Sequence, residues 1–253
     1  MKKVGGCPFP PIRPGDVHFW LFDLNAMPVA YPAWEQLLST EEITRSKRFI
    51  FDKDRIRFIA RRGILRQLLS RYIGFNPAEI SYSVNPHGKL TLPSQPISFN
   101  LSTSENRIAY VFTLEKDAGV DIEQIHHLPD LAQLAKSWFS QEEQTGLFTL
   151  PSVLQMEAFF HVWTQKEAFI KACGEGLSYP LADFSVSVDP NKPGKLLSFI
   201  KKNREQISDW QIMTIVPEAG WRAAICVRAM VEPEILWIQP KVNNSFFEFL
   251  LDT

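Results

Sequence analysis

The chain has 253 residues, 45% of them hydrophobic and 22% charged, with a formal net charge of −1. This is the composition of an ordinary globular protein with room for one large domain or two small ones, and the charge balance excludes a general affinity for nucleic acid. Cys7, Cys173 and Cys226 are unpaired by count and lack metal-ligand spacing, which points to a reducing compartment. No run reaches the ~20 consecutive apolar residues of a membrane span, so a cytoplasmic protein is expected.

In chain order, a Pro-rich stretch at 8–14 is followed by Ser39-x-x-Glu42, the pattern of a helix capping box. A basic stretch then runs through Arg45, Lys47, Arg48, Lys53, Arg55, Arg57, Arg61, Arg62 and Arg66. Helical spacing spreads these residues round their helices, so most are expected in solvent; a longer helix is expected over 58–72. A strand pattern at 80–84, a turn at Gly88-Lys89 and a hairpin over 97–113, turning at Glu105-Asn106, come next. Asp117-Ala118-Gly119 is the expected junction between two parts of the chain. The series then repeats: a capping box at Ser140-x-x-Glu143, a helix over 157–172, a strand pattern at 184–188, and a hairpin over 210–228 turning at Glu218-Ala219-Gly220. The pattern therefore predicts an α/β (α+β) chain built twice, residues 1–117 and 118–253, with little sequence identity between the halves.

Two short segments carry the chemistry. In Gly119-Val120-Asp121-Ile122-Glu123 the strand period of two puts both carboxylates on one face and Val120 and Ile122 on the other. In the segment from Trp163 to Leu177, Glu167 and Lys171 stand four apart on one face of a helix. Gly174 and Gly176 fall where that helix should stop. Two carboxylates on a strand and a third on a helix can form an oxygen site for a hard cation, with a lysine beside it for phosphate. Read singly, Asp121 and Glu123 are surface or ion-paired carboxylates, and Glu167 with Lys171 is a helix salt bridge.

Together these segments resemble the two signature motifs of the 4′-phosphopantetheinyl transferases, G-[VI]-D-[IV]-E and W-[ST]-x-K-E-[AS]-x-x-K-x-x-G-x-G-[LMF], with every fixed position filled. The resemblance is to the surfactin-synthetase-activating type and extends over residues 39–188. It implies two similar α/β subdomains with the active site in the cleft between them. It implies transfer of the phosphopantetheine arm of coenzyme A to a serine of an apo acyl or peptidyl carrier protein, leaving adenosine 3′,5′-bisphosphate. It implies Mg²⁺ held by Asp121, Glu123 and Glu167, with Glu167 and Lys171 in the catalytic set. Arg45 matches a basic position that contacts the 3′-phosphate of coenzyme A, Gly88-Lys89 the turn along the adenine, and Ser102 a phosphate-contacting hydroxyl. Lys166 is either a further phosphate contact or a solvated lysine. Arg62 and Arg66 can join the patch around Arg45. Glu143 matches the family's proposed general base, although with Ser140 it also makes a capping box, and a metal-bound water is the other candidate base. Thr103 stands where the family usually has a histidine that helps bind a phosphate of coenzyme A; threonine keeps a donor but no charge. Two halves in one chain remove the need for a dimer, so a monomer is expected. One competing reading is a non-catalytic paralogue that binds coenzyme A or carrier. Another is a different Mg²⁺-dependent phosphoryl transferase, for which the chain has no G-x-x-x-x-G-K-[ST] loop.

Overall fold

The computed structural model describes residues 1–4, 9–27, 31–93, 95–200 and 206–239. Cys7 lies outside them. The elements in chain order are β1 (Lys2–Val4), β2 (Val17–Asp23), α1 (Tyr31–Glu35), α2 (Thr40–Ser46), α3 (Asp52–Ile73), β3 (Ser83–Val84), β4 (Leu90–Thr91), β5 (Ile97–Ser104) and β6 (Arg107–Leu114). They continue with β7 (Ala118–Gln124), α4 (Leu131–Trp138), α5 (Gln141–Thr149), α6 (Ser152–Cys173), β8 (Phe184–Val186), β9 (Leu196–Phe199), β10 (Trp210–Ile215), β11 (Trp221–Arg228) and β12 (Ile235–Ile238).

The repeat expected from the sequence is present. In the first half β2 pairs antiparallel with β6, and β6 with β5; in the second, β7 pairs antiparallel with β11, and β11 with β10. Both capping boxes form, Ser39 with Glu42 at the start of α2 and Ser140 with Glu143 at the start of α5. The long helices α3 and α6 have 22 residues each, and each ends on a glycine in the left-handed region, Gly74 at φ 73° and Gly174 at φ 77°. The strands expected at 80–84 and 184–188 are shorter. They are Ser83–Val84 and Phe184–Val186, and the carbonyls of Ile80 and Phe184 accept from Arg66 and Lys166 respectively.

Strand alternation builds three cores. On β2, Trp20 and Phe22 face the core under α3, whereas Val17, Phe19 and Leu21 face a central core. On β11, Ala224 and Cys226 face the core under α6, while Ala223, Ile225 and Val227 face the same central core. The layers thus run α3, first sheet, second sheet, α6, with the two sheets back to back. One strand crosses the sequence boundary between the halves: β12 adds in parallel to β2, extending the first sheet to β1-β12-β2-β6-β5. At the seam, β5 and β7 are edge strands lying side by side, and the Val120 N–H donates to Asn100 Oδ1 at 3.1 Å. The site is built on this seam.

Candidate active site at the seam of the two halves

The buried face of β7 fixes the polar one. Val120 and Ile122 are fully buried in the central core, so Asp121 and Glu123 must point the other way, toward β5 and α6. There β5 meets them with two hydroxyls in matching register. Ser102 Oγ donates to Asp121 Oδ1 and Ser104 Oγ donates to Glu123 Oε2, both at 2.8 Å. Gly119 allows the approach from the other side. A Cβ there would lie 2.1 Å from the Ala168 carbonyl oxygen of α6.

From α6, Lys171 donates to Asp121 Oδ1 at 2.6 Å and to Ser102 Oγ at 3.1 Å, and its ammonium lies 4.0 Å from Glu167 Oε2. The helix pair expected from the i,i+4 spacing is therefore the weaker of its contacts, and the ammonium is the cation that Asp121 and Glu167 share. Burial, then the Asp121 and Glu167 charges, push the Glu123 carboxyl up to about 7 against the opposing pull of Ser104 and Lys171. Burial also raises Glu167, with Asp121 adding to it and Lys171 opposing. Asp121 Oδ2 is buried without a hydrogen-bond partner. Among the described residues no group of three or more His, Cys, Asp or Glu stands close enough to hold a metal ion. The donor set nevertheless suits a hard divalent cation: three carboxylates lining one pocket, one of them with a buried oxygen that has no hydrogen-bond partner.

Asp121, Glu123, Glu167, Lys171, Ser102 and Thr103 line one pocket, with half-buried Trp163 at its wall. It adjoins a cavity of about 530 Å³, within the usual size range of small-molecule sites. Glu167 and Lys171 line this cavity at one end; Arg45, Arg61, Arg62 and Gly88-Lys89 line it elsewhere. Gly88 sits at φ 87° in the expected turn. The Lys89 ammonium does not reach into open space: it donates to the Ala172 carbonyl at 2.8 Å, and Asn85 Nδ2 donates to the Gly174 carbonyl at 2.7 Å. These two bonds tie the first half's turn to the C-terminus of α6. Thr103 is exposed on β5 and lies off the main cavity.

Three expectations are corrected. Glu143 and Lys166 do not reach the cleft. Both are wholly buried and 2.8 Å apart. Glu143 Oε2 also accepts from Ser140 N and its Oε1 from Val186 N, while Lys166 donates to the carbonyls of Leu181 and Phe184. With both oxygens engaged, Glu143 has none free to take a substrate proton, and Lys166 is neither solvated nor a phosphate contact. The first half contains the counterpart. Glu42 of the other capping box pairs at 2.8 Å with Arg66, which donates to the carbonyls of Pro77 and Ile80. Arg66 therefore belongs to a buried bracing pair too, not to the patch around Arg45. The residue that pattern reasoning missed is Arg61, which lines both the cavity and the carboxylate pocket. In sequence it is one arginine among nine basic residues, and helical spacing could not single it out.

A cavity walled by Arg45, Arg61 and Arg62 that opens onto clustered carboxylates, set between two repeated α/β halves, is suited to an anionic ligand. The description of the 4′-phosphopantetheinyl transferase superfamily matches residues 117–226. The chain is 32% identical to the 4′-phosphopantetheinyl transferase HetI of Nostoc sp., covering 84% of this chain and 87% of that one. It is 29% identical to the 4′-phosphopantetheinyl transferase Sfp of Bacillus subtilis, over 78% of this chain and 85% of that one. The crystal structure of Thermotoga maritima holo-[acyl-carrier-protein] synthase aligns with 44% of this chain and 61% of its own at 18% identity and a TM-score of 0.35, too distant to bear on the fold. The chain belongs to the 4′-phosphopantetheinyl transferase family.

Proposed function

We propose that this chain transfers the 4′-phosphopantetheine group of coenzyme A to a serine of an apo acyl or peptidyl carrier protein. The observation that carries this reading is the convergence of Asp121, Glu123, Glu167 and Lys171 on one end of a cavity whose walls include Arg45, Arg61 and Gly88-Lys89. Residues 1–117 supply most of the coenzyme A side and residues 118–253 the acidic side. The carrier serine oxygen forms a bond to the phosphorus that bears the pantetheine arm. The bridging bond of the pyrophosphate breaks, its electron pair leaves with adenosine 3′,5′-bisphosphate, and the serine proton is lost. Lys171 would offset negative charge on the departing phosphate. Asp121, Glu123 and Glu167 would hold Mg²⁺, which supplies charge neutralisation and orientation of the pyrophosphate when bound. Ser102 and Ser104 fix the carboxylates. The enzyme works as a monomer in the cytoplasm. No helix among the described residues is long and apolar enough to cross a membrane.

The test is to incubate the chain with coenzyme A, Mg²⁺ and apo carrier and to measure the carrier's intact mass. A phosphopantetheine adduct is expected, and Asp121→Ala is expected to abolish it with the fold retained. An unmodified carrier with the wild-type chain, across acyl and peptidyl carriers, would remove the catalytic reading.

A further inference from the structure

The turn at the tip of the β3–β4 ribbon has little apolar packing to hold it. β3 and β4 form a two-stranded sheet of their own, and Ser83, Val84, His87 and Gly88 are exposed. Asn85 organises the turn from within. Its Oδ1 accepts from the backbone N–H of His87 at 2.9 Å and of Lys89 at 2.8 Å, while its own backbone N–H donates to the Lys89 carbonyl at 2.9 Å. With the oxygen taken by two donors, Nδ2 is turned outward, where it donates to the Gly174 carbonyl at 2.7 Å. These partners fix the orientation of the amide, since the reverse would set its NH₂ against two N–H groups. Lys89, four residues on, donates from Nζ to the Ala172 carbonyl at 2.8 Å.

Both acceptors belong to the end of α6: Ala172 lies in its last turn and Gly174 caps it. Carbonyls there have no partner within the helix, and a cation beside them is favoured by the helix dipole. The contact is close-packed as well as polar. A Cβ on Gly174 would stand 3.2 Å from Lys89 Cδ and 3.3 Å from Asn85 Nδ2. The first half thus caps a helix of the second. The same groups frame the cavity, which His87, Gly88 and Lys89 line from the turn and Ile170, Lys171 and Gly174 from the helix end. Lys171, whose ammonium reaches Asp121 Oδ1 at 2.6 Å, immediately precedes Ala172. We propose that Asn85 is a positioning residue for transfer: with Lys89 it clasps the turn to the end of α6, and so sets the width of the cavity and the reach of Lys171 to Asp121. The bearing of this clasp on catalysis rests on the transferase function proposed above.

Asn85→Asp separates the two jobs of the side chain, because it keeps the acceptor that builds the turn and sets an oxygen against the Gly174 carbonyl. Lys89→Met removes the second bond of the clasp, and Lys89→Arg retains a donor for the Ala172 carbonyl. Two readouts are taken on the full chain: amide hydrogen exchange by mass spectrometry, and steady-state transfer of phosphopantetheine from coenzyme A to apo carrier. In Asn85→Asp and Lys89→Met, exchange over residues 170–176 is expected to quicken by roughly tenfold, the loss of one hydrogen bond, and to keep its wild-type rate in the central core. The turnover rate kcat should fall by about tenfold or more, outweighing any rise in KM for coenzyme A, because the clasp holds a group that acts on the departing phosphate. Lys89→Arg should restore part of the kcat lost in Lys89→Met. Thermal melting checks the fold; should Asn85→Asp fail to fold, the Lys89→Met and Lys89→Arg pair decides. Unchanged exchange over 170–176, a raised KM with kcat unchanged, or a Lys89→Arg no faster than Lys89→Met overturns the assignment. The two readings fail separately. If the wild type modifies carrier and Asn85→Asp keeps its kcat, only the role of Asn85 falls; if the wild type modifies no carrier, the transferase reading falls and the exchange rates alone decide whether the clasp exists.

Discussion

Glu143 and Lys166 are wholly buried and bonded to each other, and the same brace recurs in the first half as Glu42 with Arg66. Each carboxylate closes a capping box on one helix and clamps a cation on the next. Each cation then holds two carbonyls of the segment that follows. The capping boxes were legible in the sequence because Ser-x-x-Glu before a helix has one geometry. The inward turn of the glutamates was not, because capping spacing does not say what lies behind the carboxylate. Removing one member of such a pair leaves the other charge buried and uncompensated, at a cost of roughly 3–5 kcal/mol. Glu143→Gln is therefore expected to lower the unfolding free energy by about 3 kcal/mol, read by urea denaturation. Lys166→Met should be similarly costly, and the double variant should lose clearly less than the sum of the two, because each single change already breaks the same pair. Additive losses would mean that the pair is not coupled. At a temperature where Glu143→Gln is folded, turnover should stay near normal. A folded variant that has lost ~10²-fold in rate would return Glu143 to the role of general base.

At the scale of elements, β7 against α6 decides where the carboxylates sit. The period of two in Gly119-Val120-Asp121-Ile122-Glu123 was enough to put Asp121 and Glu123 on one face, because only Val120 and Ile122 can fill the central core. The helical spacing likewise set Glu167 beside Lys171. What spacing could not reveal is the contact across elements: Lys171 reaches Asp121 more closely than its own helix neighbour, and the hydroxyls of β5 hold the carboxylates in register. Gly119 is the hinge of this arrangement. An added Cβ would sit 2.1 Å from the Ala168 carbonyl oxygen and 2.4 Å from the Ala172 nitrogen, both backbone atoms of α6 that cannot step aside as a flexible side chain can. Gly119→Ala is expected to cost about 1–3 kcal/mol through overpacking and to cut transfer by more than tenfold, since strand and helix must separate. Gly146→Ala serves as the control. Its Cβ would meet a side-chain methyl of Val188 at 3.2 Å inside α5, so its stability should change by less than about 1 kcal/mol. If Gly119→Ala melts and turns over like the wild type, close packing of β7 on α6 is not what positions the site.

Across the whole molecule the duplication was readable because each half repeats the same order of caps, long helix and hairpin; the parallel return of β12 to β2 was not, because a short apolar strand carries no mark of its partner. The layers built by these strands also bury a histidine in each half. His18 on β2 lies against Tyr72 of α3, its Nδ1 2.8 Å from the hydroxyl, and His161 lies inside α6 with Nε2 unpartnered. Burial depresses both rings to about 4, outweighing the nearby charges of Asp16 and Asp189 respectively. The unfolded chain binds protons on these histidines from about pH 6.5 downward, whereas the folded chain resists until about pH 4. Their contribution to stability is thus fully present above pH 6.5 and is lost as pH falls between those values, by up to about 1.4 kcal/mol per pH unit for each histidine. Glu123, Glu143 and Glu167 act in the opposite sense, because burial raises their proton affinity in the folded state. The histidine effect must therefore be read as a difference between proteins. Urea unfolding of the wild type, His18→Gln and His161→Gln should be compared at pH 7 and pH 5. Whatever each substitution costs at pH 7, the variant is expected to lose less stability on acidification than the wild type, by about 1–2 kcal/mol per histidine over that interval. Parallel losses in all three proteins would mean that neither ring is held neutral by the fold.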